Sequence, residues 1–161
     1  MTADELFRLP RGRCRYSLLR GELRIEPLTV PEDGYIAATI SASMLEHARS
    51  HRLGSVTVGV GFQLEHNLDT VLAPAVAFVR RERVVNTPYF FQGPPDLAVE
   101  ISNERKTADW LRGGTRAVIV VDPARQSVRI HRAAETVNVT DAIIVDDIVP
   151  GWRLPLSEIF E

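Results

Sequence analysis

Lysine and cysteine are nearly missing from this chain of 161 residues: each occurs once, as Lys106 and Cys14. A lone cysteine excludes an intramolecular disulfide framework and any all-cysteine zinc site. Cys14 lies between Arg13 and Arg15, but no histidine beside it completes a nucleophilic dyad. No stretch approaches eighteen consecutive apolar residues, which excludes a transmembrane helix, and the first residues lack the apolar run of a signal peptide. A cytoplasmic location is the expectation. An excess of positive charge is also missing. The formal net charge of −2 rules out gripping nucleic acid through overall charge, although a local basic groove survives that arithmetic. There is no repeat, low-complexity run or Gly/Ser linker, so residues 1–161 read as a single domain.

What is present is a series of short strands punctuated by helices. Thr2 followed by Glu5 is a capping-box pattern leading into ADELFRL, and Pro10 with Gly12 stops that helix early. YSLL and ELRIE flank Arg20 and Gly21 at the spacing of a tight hairpin. From Glu32 to about Arg52, Ile36, Ile40, Met44 and Ala48 recur every four residues, which predicts an amphipathic helix packed on a sheet. His47 and His51 share a face of it, but without the glutamate of an HExxH zinc motif they read as packing. SVTVGVGFQLE reads as a strand thinned at Gly59 and Gly61. VLAPAVAFV is a second apolar run, whose Pro74 belongs at a sheet edge, a bulge or a strand start. The strand LAVEIS runs almost directly into a short helix, ERKTADWLRG, ended by Gly113 and Gly114. AVIVVD and SVRIHR pair across the Asp122–Pro123 turn; ETVNV, AIIVD and a terminal PLSEIF helical turn follow. The economical fold is α/β, a mixed sheet covered by helices.

Glu100 is the residue that a core strand should not contain. It lies between Val99 and Ile101, and period-two geometry puts it on one face with Asp96 and Ala98. A buried carboxylate needs a cation, a metal or a wet cleft; on an exposed edge strand it would simply meet solvent. Lys106 follows six positions later, at the start of the helix, where it either reaches back toward Glu100 or lies on a solvated face. Arg105 beside it could serve the same electrostatic role.

In order and spacing, these pieces resemble the Uma2 family of restriction-endonuclease-like proteins, also catalogued as a domain of unknown function, within the PD-(D/E)xK nuclease superfamily. The matching stretches are TADELFRLP, YSLLRGEL, the long helix ending in HRLG, GFQLE, DTVLAPAVAFVRRERV, GPPDLAVEIS, KTADWLRGG, VIVVDPARQSVRIHR and VPGWRLPLSEIF. The resemblance implies a restriction-endonuclease-like mixed sheet flanked by helices, with an N-terminal helix and β-hairpin. It also implies a homodimer, and Mg or Mn held between acidic residues to activate water against a DNA phosphodiester. Glu100 matches the acidic residue of the (D/E) strand, and Lys106 matches the lysine that the family carries on the following helix.

The departures from that pattern bear on activity. Ala75 stands where the APDVAFV pattern has its metal-binding Asp, and Ser17 replaces the first acidic residue of YELxxGEL. Only Asn103, Glu104 and Arg105 separate LAVEIS from KTADWL, where the family carries a longer segment. Asp96 and Asp69 are the remaining candidates for a second metal oxygen. The expected function is therefore a catalytically degenerate nuclease-fold protein that keeps DNA binding, with Arg80, Arg81, Arg105 and Arg112 as phosphate contacts. An active Mg- or Mn-dependent endonuclease is the first alternative, and a dimeric interaction or regulatory module without DNA is the second. GVG lacks the lysine and spacing of a phosphate-binding loop, so no nucleotide cofactor is expected.

Overall fold

The computed structural model describes residues 1–10 and 15–161. Gly12 and Cys14 lie outside the described residues. The chain opens with helix α1 (Ala3–Phe7), whose capping box is complete. The Thr2 hydroxyl accepts from the Glu5 amide at 3.2 Å, and the Glu5 carboxylate accepts from the Thr2 amide at 2.8 Å. Thr2→Ala is expected to lower stability by about 1 kcal/mol in urea unfolding. The Thr2 amide also holds the Glu5 carboxyl below its ordinary range. This contribution is present above the ordinary carboxylate range and is lost as pH falls through the lowered Glu5 value.

Strands β1 (Arg15–Leu19) and β2 (Glu22–Glu26) form the expected hairpin, with Arg20 and Gly21 both at positive φ in its two-residue turn. The long helix is α2 (Pro31–Ser50), and Ile36, Ile40, Met44 and Ala48 are its buried residues, as the periodicity predicts. The stretch expected as one strand is two. β3 (Gly54–Val58) and β4 (Phe62–Glu65) lie in different sheets, and the chain turns between them at Gly59, where φ is +69°. Gly61 then passes so close to Phe90 that a Cβ there would lie 2.5 Å from the ring. Pro74 likewise separates β5 (Thr70–Leu72) from β6 (Val76–Arg80), which also belong to different sheets.

β7 (Phe91–Gln92), β8 (Leu97–Ile101), α3 (Thr107–Arg112), β9 (Ala117–Asp122), β10 (Ser127–His131) and β11 (Thr136–Val139) follow, then β12 (Ala142–Ile144), β13 (Arg153–Pro155) and α4 (Leu156–Ile159). The main sheet has six strands in the order β11-β10-β9-β8-β6-β3, in which only β8 and β9 are parallel. A second sheet, β2-β1-β5-β4-β7, carries the hairpin, and β12 pairs with β13 separately. One face of the main sheet, through Val76, Phe78, Leu97, Val99, Ile119 and Val121, packs on α2 and the C-terminal segment. The alternate residues Ala77, Val79, Ala98, Val118 and Val120 pack on Trp110 of α3 and on Phe62 and Leu72 of the second sheet. LAVEIS is thus a central strand, not an edge. PYFF turns partly inward: Phe90 and Phe91 are half-buried against two clusters, and Tyr89 stays exposed. Among the described residues, no helix is long and apolar enough to cross a membrane.

Candidate functional site

Glu100 is the fourth residue of β8, paired in parallel register with Val120. It is 4% exposed, on the face that α3 covers. The chain leaves β8 through Ser102, at φ +58°, and enters α3 directly after Lys106. Lys106 and Trp110 are four apart, so they share one side of this first turn, and both reach back to Glu100. The Trp110 indole N–H donates to Glu100 Oε1 at 2.8 Å, and Lys106 Nζ lies 3.7 Å from the same oxygen. Lys106 is 7% exposed, so it does not lie on a solvated helix face. The short connection leaves it facing the strand that precedes it.

A second carboxylate, which sequence reasoning did not single out, completes the cluster. Glu26, the last residue of β2, has Oε1 3.6 Å from Lys106 Nζ. Lys106 Nζ also donates to the Ala73 carbonyl at 3.1 Å. The Ser17 hydroxyl donates to Glu26 Oε1 at 3.0 Å. Ser17 is opposite Arg24 and Glu26 opposite Arg15 in the hairpin, so Ser17 and Glu26 share one face of the ribbon. Alternation in ELRIE contains that information; which face meets the main sheet depends on how the two sheets pack. Burial is the main cause that pushes the Glu100 carboxyl above the ordinary carboxylate range, and Lys106 and the Trp110 N–H pull it partly back.

These side chains form the floor of a cleft of about 800 Å³ between the hairpin, the start of α2 and the end of β8. Arg15, Arg24 and Arg105 line its mouth, and Ile25, Leu28 and Val58 give it an apolar wall. Across the cleft, the Ser102 hydroxyl donates to Asp33 Oδ1 at 3.0 Å, tying the β8–α3 connection to the first turn of α2.

Of the residues expected at the site, Glu100, Lys106, Ala75, Ser17 and Arg105 come together here. Asp96 does not. It lies one residue before β8, about 13 Å of extended chain from Glu100, and its Oδ2 accepts from the Arg80 amide at 2.8 Å and from Arg83 at 3.1 Å. Asp69 is likewise engaged elsewhere: its Oδ2 accepts from the Ala3 amide at 2.8 Å and so anchors α1. Arg81 lines a shallow surface depression with Arg52, and Arg112 pairs with Glu65 and Asp109 at 3.1 and 3.0 Å. The Arg80 side chain is exposed at the far end of β6 from Ala75. His47 and His51 stack with ring centroids 4.3 Å apart, and His47 Nε2 donates to the Pro150 carbonyl.

A hard divalent cation takes about six oxygen ligands with carboxylates among them. Here the two carboxylates converge on an ammonium, Ala75 presents a methyl group, and among the described residues no three His, Cys, Asp or Glu side chains gather to hold a metal ion. As arranged, the residues do not fit the metal.

Comparison with known proteins agrees with the fold. The family model for Uma2, described as "Putative restriction endonuclease", matches residues 3–157. Among solved structures, one described as a "putative nuclease belonging to DUF820 from Anabaena variabilis ATCC 29413" superposes with a TM-score of 0.85 at 17% identity, covering 99% of this chain and 97% of that one. No curated protein matches the sequence.

Proposed function

The chain belongs to the Uma2 family, and from that premise we propose that it binds nucleic acid in the arginine-rimmed cleft without hydrolysing it. One observation carries this reading: the Lys106 ammonium stands between Glu26 and Glu100, and Ala75 offers no oxygen beside them. Hydrolysis of a phosphodiester by this fold needs a cation that activates water and neutralises the developing charge. The residues on the cleft floor are committed instead to one another. Arg15, Arg24 and Arg105 remain as phosphate contacts around the mouth; Arg105 was expected from the sequence, and Arg15 and Arg24 replace Arg80, Arg81 and Arg112 in that role. The second reading, an active Mg- or Mn-dependent endonuclease, requires Lys106 to leave the two carboxylates, so that Glu26 supplies the second acid that Ala75 and Ser17 lack.

Fluorescence anisotropy with a labelled duplex, in EDTA and at low salt, tests the binding. Association is expected to weaken steeply with salt. Replacing Arg15, Arg24 and Arg105 together by alanine should flatten the slope of log K against log salt by about 2.7, the loss of three phosphate contacts. No interaction at low salt would overturn the binding. Cleavage in millimolar Mn that Glu100→Gln abolishes would establish the second reading in its place.

A further inference from the structure

We infer that the Lys106 ammonium is the built-in cation of this cleft, held by three oxygens that form a latent divalent-cation site of unexpected composition: Glu26, Glu100 and the Ala73 carbonyl. The three donors come from three separate places, the end of β2, the middle of the main sheet and the link between β5 and β6. All lie within 3.1–3.7 Å of one nitrogen. Neither acid is there by accident of a flexible surface. Glu100 Oε1 is fixed by the Trp110 indole and Glu26 Oε1 by the Ser17 hydroxyl, while the side chains of Glu100, Glu26 and Lys106 are only 5%, 17% and 9% exposed.

Two carboxylates and a carbonyl oxygen facing one point are hard ligands with a net charge of −2, a set suited to a small cation. The ammonium supplies only one positive charge, but it is tethered, so it does not need to be recruited from solution. Position 17 is the other half of the device. The serine hydroxyl there donates to Glu26 Oε1 at 3.0 Å, so the acid missing from β1 is supplied by β2. The cation is thereby covalent and permanent, and native folding requires no metal. The inference rests on the proposed reading only in leaving the native cleft metal-free.

Mn(II) EPR titration and thermal unfolding of the full chain test it. Wild type is expected to bind Mn(II) weakly, with the same unfolding midpoint in Mn(II) and in EDTA. Lys106→Ala should bind at least about tenfold more tightly than wild type, because it vacates the cradle and removes the competing charge. Adding Glu26→Gln to Lys106→Ala should reverse that gain. If Lys106→Ala is unfolded in EDTA, recovery of its far-UV CD signal by Mn(II), and not by sodium, is the supporting result; an unfolded chain in both overturns the inference. Equal Mn(II) affinity in wild type and Lys106→Ala, or a gain indifferent to Glu26→Gln, also overturns it. Nucleic-acid binding is measured separately in EDTA, so the cation inference and the binding proposal can fail independently.

Discussion

Trp110→Ala is expected to lower the stability of the chain by about 3–5 kcal/mol in urea or thermal unfolding. The indole is fully buried between Ala98, Val118 and Val120 of the main sheet and Phe62 of the second, and its ring meets that of Phe62 edge-on at 6.2 Å. Its removal opens a cavity at the junction of three elements, where neither sheet can close without losing register. It also strips Glu100 of the one side-chain hydrogen-bond donor it has among the described residues. Trp110→Phe separates the two losses. It restores most of the volume but not the N–H, and should cost about 1–3 kcal/mol for a buried acceptor left unsatisfied. If Phe costs as much as Ala, the indole N–H dominates; if Phe is neutral, the hydrogen bond to Glu100 contributes nothing to stability.

Lys106→Met should be nearly as damaging, at about 3–5 kcal/mol, because it leaves the Glu100 carboxylate buried without its cation. Methionine keeps the length and apolar stem of the side chain, so the loss reads charge more than packing. Adding Glu100→Gln should recover most of it, since the amide oxygen still accepts from Trp110, and a coupling of about 2–3 kcal/mol is expected in the double-mutant cycle. The pH dependence fixes the sign. Burial raises the folded Glu100 carboxyl above its unfolded value. Between those two values the folded chain keeps a proton that the unfolded chain has lost, so stability is greatest below the ordinary carboxylate range and falls as pH rises through the window. Glu100→Gln should remove that slope. Lys106→Met should extend the window to higher pH, because the ammonium that favoured the charged form is gone. A Lys106→Met protein as stable as wild type at neutral pH would show that the pair carries no such energy.

The local half of the site was legible in the sequence. A carboxylate inside LAVEIS announces itself because no apolar core tolerates it unpaired, and a helix that begins directly after the strand brings Lys106 within reach. The helix stripe from Ile36 to Ala48 and the hairpin at Arg20–Gly21 were legible for similar reasons, since periodicity and turn chemistry act over a few residues. Glu26 was not singled out. Alternation in ELRIE shows which residues share its face, but the docking of that face onto the main sheet depends on packing between separate sheets. The division of SVTVGVGFQLE was also missed, because glycines that thin a strand and glycines that end it look alike until a neighbour such as Phe90 claims the space. Asp96 and Asp69 were plausible as ligands by residue type alone; the amides of Arg80 and Ala3 had already engaged them.

The brevity of the link from Ser102 to Lys106 bears on the order in which the cleft is assembled. Glu100, Lys106 and Trp110 lie close in sequence, so closing that loop costs little chain entropy and their contacts can form as soon as β8 and α3 meet. Glu26 belongs to a hairpin formed far earlier in the chain and reaches them only when the second sheet docks. The ion pair is then a nucleus waiting for its third member, and detachment of the hairpin would expose a half-built site rather than erase it. Hydrogen exchange should register this as earlier opening of β1 and β2 than of β8 and β9.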